Sequence, residues 1–119
     1  MTLKSLFLGL SILSAVVAVP SGAFAATVYQ SPRLQGLEVD RCITSENYTE
    51  GCSQQATEHA ATMFCRQYGL SHATRWSWQD QSTDNQRSVQ KLVESRGVSL
   101  FQVQKGSYIF TEITCEGWR

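Results

Sequence analysis

Residues 52–65 read CSQQATEHAATMFC, a histidine set between two cysteines. The apolar residues of this stretch recur at helical spacing. At about 100° per residue, Ala60, Ala61, Phe64 and Tyr68 fall on one broad arc, with Met63 and Cys65 at its edges. Gln55, Glu58, His59, Thr62 and Arg66 fall on the other side. Ser53 is suited to cap the start by accepting a bond from a free backbone N–H. Gly69 suits a left-handed stop, and Leu70 supplies the apolar residue that often closes one. The stretch is therefore one amphipathic helix packing on something flat, with Phe64 as its main apolar anchor.

That helix limits what Cys52, His59 and Cys65 can do. An unbroken helix holds the two cysteines about 20 Å apart. A disulfide needs Cα atoms within about 7 Å, and a metal ion needs each sulfur at about 2.3 Å. His59 projects toward the side of Cys52 but two turns away, whereas helical metal pairs sit one turn apart. No metal and no cofactor is expected, and His59 is read as a surface histidine on the polar face. A redox centre would want a closely spaced pair such as C-x-x-C, and the sequence has none.

Each cysteine must then reach outside the helix. Cys42, Cys52, Cys65 and Cys115 allow three connectivities, and the helix removes the one that joins Cys52 to Cys65. Loop entropy separates the other two by only about 1 kcal/mol. Cys42–Cys52 with Cys65–Cys115 is preferred over Cys42–Cys65 with Cys52–Cys115, because Cys65 and Cys115 both border the proposed helix–sheet contact.

Outward from the helix the pattern turns to strands. "LEVDRCI" (37–43) alternates as a short strand, and "TSENYTEG" (44–51) reads as a loop. "ATRWSWQ" (73–79) alternates with Trp76 and Trp78 on one face and Arg75 and Ser77 on the other. "DQSTDNQ" (80–86) is polar and turn-rich. "RSVQKLVESRG" (87–97) fits either a helix, with Val89, Leu92 and Val93 on one face, or a short strand ending at Gly97. "VSLFQVQKGSYIFTEITC" (98–115) reads as a hairpin turning at Lys105-Gly106, with Gly free to take positive φ. The face bearing Ile109, Ile113 and Cys115 is assigned to the helix contact. The expected fold class is α+β: one main amphipathic helix packed on a small antiparallel sheet of three or four strands, stapled by disulfides.

The N-terminus reads differently. Lys4 gives a short basic start, Leu6 to Val19 an apolar run, and Ala23-Phe24-Ala25 the small-x-small pattern of a signal peptidase site. Residues 1–25 are expected to be a signal peptide, 26–36 a flexible lead-in around Pro32, and 37–119 a single domain. The run is too short for a spanning helix, so no stable membrane insertion is expected after cleavage. Export to the periplasm or medium fits an even cysteine count. Asn47-Tyr48-Thr49 matches the N-glycosylation acceptor pattern, which matters only in a glycosylating host.

The layout Cys42, Gly51-Cys52, Ala60, Phe64-Cys65, Gly69, Ala73 and Trp76 resembles small exported cysteine-paired domains of uncharacterised function. The resemblance covers the middle third of the chain and implies a bridged scaffold and no chemistry.

Basic and acidic residues balance at 10 each, and the arginines are scattered. No basic stripe follows a phosphate backbone, so nucleic acid is not an expected partner. No phosphate loop or dinucleotide fingerprint occurs. Ser71-His72 is adjacency, which does not by itself align a hydroxyl with a base. Catalytic residues are therefore not assigned, and the chain reads more as a binder than an enzyme. The candidate site is the Trp76/Trp78 ledge, an aromatic surface suited to a sugar ring or a partner protein. Arg75, Gln79 and Asp80 are placed at its rim. The expected function is a non-catalytic, exported binding domain for a glycan or an extracytoplasmic protein. The alternatives are a small secreted hydrolase of lysozyme-like type, and a secreted inhibitor or effector presenting the loop Thr44–Gly51.

Overall fold

Helix α1, Gln54–Gln67, runs where the sequence places it in the computed structural model, which describes residues 26–80 and 87–118. The signal segment read over 1–25 and most of the turn-rich stretch 80–86 lie outside the described residues. Ser53 caps the helix by accepting from the Ala56 N–H at 3.1 Å. At the other end Gly69 takes φ +81°, and the N–H groups of Gly69 and Leu70 donate to Arg66 and Cys65 carbonyls. No described helix is long and apolar enough to cross a membrane.

In chain order the strands are β1 (Thr27–Gln30), β2 (Arg33–Leu34), β3 (Leu37–Glu38), β4 (Thr44–Ser45), then after α1, β5 (His72–Asp80), β6 (Ser88–Ser95), β7 (Val98–Lys105) and β8 (Tyr108–Glu116). They form three sheets, ordered β1-β8-β5, β2-β3 and β4-β6-β7. All pairings are antiparallel except β4 with β6. Val39 and Asp40 lie between two sheets. Val39 bridges to Gln90 of β6 and Asp40 to Ile109 of β8. Both residues are buried, because each side of this short segment faces an element.

The expected helix on one small antiparallel sheet is overturned: the described residues are mostly β, in three sheets, with a single helix. Three local differences account for it. Residues 27–30, read as lead-in, instead pair with Glu112–Cys115, and Tyr29 meets the Phe64 ring edge-on with centroids 5.2 Å apart. The ambiguous stretch 87–97 is strand β6. The hairpin also sits one connection earlier than read. It joins β6 to β7 through Arg96 and Gly97 at φ +55° and +80°, the positive pair a two-residue type I′ turn demands.

Lys105-Gly106 therefore closes no hairpin, and the chain crosses there from one sheet to another. Gly106 does not use a positive φ. It is required for space, since a Cβ there would collide with the Asp40 Oδ2 and stand 3.0 Å from a Val89 methyl.

Both disulfides are the preferred ones, Cys42–Cys52 and Cys65–Cys115, with Cα atoms 4.3 and 5.6 Å apart. The second fixes α1 to β8 inside the core. That core gathers Ala56, Ala60, Ala61 and Phe64 of the helix against Ala73, Leu92, Phe110 and Ile113. Ile113 and Cys115 face the helix as expected, but Phe110 takes the place assigned to Ile109. The cause is a register shift: Ser77 pairs with Glu112 and Trp78 with Phe110, which leaves Thr111 as an extra residue on β8. One extra residue reverses which side chains point inward.

Candidate functional site

Trp76 and Trp78 are two apart on β5 and stay on one face, that of their cross-strand partners Ile113 and Phe110. Trp76 is half-buried and packs against the core. Trp78 is 40% exposed, beyond the start of α1. Over it lies Arg41, whose guanidinium carbon is 3.7 Å from the Trp78 ring centroid and 5.8 Å from that of Tyr108. Trp78 and Tyr108 meet edge to face, centroids 6.3 Å apart.

Arg41 is held from several sides. Its backbone N–H donates to the Tyr108 carbonyl at 2.8 Å. Its Nη1 donates to the Cys52 carbonyl and to the buried Thr57 hydroxyl, each at 2.7 Å. Its Nε is buried with no hydrogen-bond partner among the described residues. The Cys42–Cys52 bridge, the first turn of α1 and the Trp78 face thus converge on one cation. Together Arg41, Gln54, Thr57, Trp76, Ser77 and Trp78 line a cavity of about 410 Å³. A cation over an indole contributes roughly 0.5–2 kcal/mol, depending on how dry the contact is. The geometry offers a partly exposed indole capped on one face by a fixed positive charge, with hydrogen-bonding side chains at one opening.

The residues expected at the rim are placed otherwise. Arg75 and Gln79 alternate with the tryptophans and so face the other side of β5. Asp80 ends the strand, and none of the three lines the cavity. Reading sequence missed Arg41, Gln54 and Thr57. The available signal was Arg41's place beside Cys42, since a bridge to Cys52 draws it to the helix start.

A second, larger cavity of about 670 Å³ opens on the other flank of the helix, lined by Tyr48, Gln55, Glu58, His59, Thr62 and Glu94 among others. His59 is not a plain surface histidine. Its Nε2 lies 2.7 Å from the Glu94 Oε2, and the Tyr48 ring stacks on it with centroids 5.3 Å apart. Glu94 projects inward from β6 and is only 9% exposed. The hydroxyls of Ser45 and Ser99 donate to it at 3.0 and 2.7 Å. Burial pushes the Glu94 carboxyl up, but these bonds from His59, Ser99 and Ser45, with the charge on His59, outweigh it and hold Glu94 below the usual carboxylate range. A carboxyl so held stays ionised and is a poor proton donor.

Asp40 is the opposite case. It is fully buried, its Oδ1 accepts from the Cys42 N–H at 2.7 Å, and its Oδ2 has no partner among the described residues. Burial raises its pKa, against the pull of the Cys42 N–H and the charges of Lys91 and Arg41. The Ser71 hydroxyl and His72 Nδ1 are 3.1 Å apart, but they line neither of these cavities. No protein family, curated protein or solved structure matches the chain.

Proposed function

We propose that the protein acts by binding, through the face formed by Trp78, Trp76 and Arg41, in an oxidising compartment outside the cytoplasm. The observation that carries this reading is the partly exposed Trp78 ring under a guanidinium fixed by two hydrogen bonds. Such a face suits a sugar, whose C–H side stacks on indole while its hydroxyls meet Arg41, Gln54 and Ser77. The two disulfides support the location, since such bridges persist where thiols are oxidised. Secretion or periplasmic residence is the form of this reading that the N-terminal apolar run favours. A glycan array probed with the folded wild type and with Trp78→Ala tests it. Retention of particular glycans by the wild type alone supports the reading, and no retention by a folded wild type removes it.

The His59–Glu94 pair favours a second reading, a small hydrolase. Glu94 fixes the ring through Nε2, so Nδ1 is left to act as a base. The acid–carboxylate pair of a lysozyme-like mechanism is not favoured, because Glu94 is held ionised and cannot serve as the acid. Loss of a measured hydrolysis in His59→Gln, with folding intact, would support this reading over the first.

A further inference from the structure

A third cavity, of about 360 Å³, lies at the opposite end of α1 from the tryptophans. The helix separates the two by about 20 Å. Leu34, Tyr68 and Phe101 wall it, and the carboxamide residues Gln35, Gln67 and Gln90 also line it. No Asp, Glu, Lys, Arg or His is among its lining residues.

Gln90 is the anomaly. It is only 3% exposed, whereas Gln35 and Gln67 are exposed, and it lines the cavity from its floor. Its main chain is engaged on both sides: it bridges to Val39 and pairs with Val103, and its carbonyl accepts from the Asp40 N–H at 3.0 Å. What Gln90 presents to the cavity is therefore its carboxamide, one carbonyl and two N–H donors. By strand alternation it lies on the same face as Leu92 and Glu94, the face turned inward. A carboxamide that lines so deep a part of a cavity is placed to meet the polar groups of whatever enters it.

We infer that this cavity is a binding site for an uncharged small molecule bearing hydroxyl and amide groups, of the type of a neutral N-acetylated sugar, with Gln90 as its polar anchor. The lining fits that chemistry. Carboxamides both donate and accept, as hydroxyl and amide groups require. Tyr68 and Phe101 supply apolar ring surface for a C–H face. The absence of charge in the lining leaves nothing to compensate a buried ionic group, and the volume falls at the small end of ligand pockets. The inference does not rest on the tryptophan site, since the two share no residue.

The test is a titration of the isotope-labelled protein with N-acetylglucosamine, followed by the side-chain amide resonances of Gln90. A saturable shift at Gln90 and Phe101 is expected in the wild type, and Trp78→Ala should retain it. Gln90→Leu should weaken binding about tenfold or more, the loss expected when a polar group loses its partner. Glucuronate, a sugar ring carrying a carboxylate, should bind at least about tenfold more weakly. The inference is overturned if the wild type shows no saturable shift at millimolar sugar, or if Gln90 contacts an ordered water only. It is equally overturned if glucuronate binds as well. The wild-type titration decides the matter even if Gln90→Leu fails to fold.

Discussion

The guanidinium of Arg41 lies 3.7 Å from the centre of the Trp78 ring while its Nη1 donates to Cys52 and Thr57. One side chain thus joins the strap between the sheets, the first disulfide and the start of the helix to a partly exposed indole. Binding surfaces gain from such fixing, because the group loses little freedom when a ligand arrives.

The two tryptophans should separate in a stability measurement. Trp76 packs on the core and Trp78 does not. Trp76→Ala should cost about 2–4 kcal/mol in urea unfolding. Trp78→Ala should cost about 1 kcal/mol, mainly the lost cation–π contact. Equal costs would mean that Trp78 is a core residue.

Asp40→Asn should stabilise the protein at neutral pH. The folded pKa of Asp40 is raised, so the native state holds its proton where the unfolded chain has released it. The native Asp40 therefore loses stability as pH rises from the unfolded value toward the folded one. Asn keeps the acceptor for the Cys42 N–H and removes the charge. A gain of about 1 kcal/mol, or roughly 5 °C in Tm, is expected at pH 7, shrinking to nothing below the unfolded carboxylate range near about 4. A thermal melt series across pH checks both the sign and the closing gap.

Glu94 should behave in the reverse sense. Its folded pKa is lowered, so its contribution is present above the unfolded carboxylate value and is lost as pH falls through the folded one. The acid limb of the wild-type stability curve should flatten in Glu94→Gln. Glu94→Ala should cost about 3 kcal/mol at pH 7, since it strands His59, Ser45 and Ser99 together. An unchanged acid limb in Glu94→Gln would contradict the assignment.

Gly106→Ala should destabilise by about 2–3 kcal/mol, because its Cβ would enter the space of the Asp40 carboxylate and of Val89. Asp40→Ala in the same chain should recover part of that loss. A double-mutant cycle reads the coupling, and strict additivity would show that the two positions do not meet.

Much of the helix was legible from local signals; elimination left two cysteine pairings, and the observed one was preferred because Cys65 and Cys115 both border the proposed helix–sheet contact. Ser53 and Gly69 mark the ends of α1, and an unbroken helix forbids Cys52–Cys65. The shared face of Trp76 and Trp78 follows from strand alternation. The sheet architecture was less legible. Val89, Leu92 and Val93 satisfy a helix or a strand equally, and only the Arg96-Gly97 turn settles them as β6. With β6 unread, the inward alternation of Gln90, Leu92 and Glu94 stays hidden, and His59 has no visible partner. The extra residue at Thr111 depends on pairing with β5, which no local pattern announces, and it turns Phe110 into the helix-side cluster while Ile109 is buried elsewhere. Gly106 reads as a turn glycine, yet its reason is the distant Asp40.

The most direct measurement is an equilibrium titration, by tryptophan fluorescence, of the strongest array glycan against wild type, Trp78→Ala and Arg41→Lys. Saturable binding by the wild type is expected, with a loss of at least about tenfold in Trp78→Ala, for the missing stacking surface, and a smaller loss in Arg41→Lys, which keeps the charge but not the planar fork. Undiminished binding by a folded Trp78→Ala, or no glycan bound by the wild type, would contradict the account.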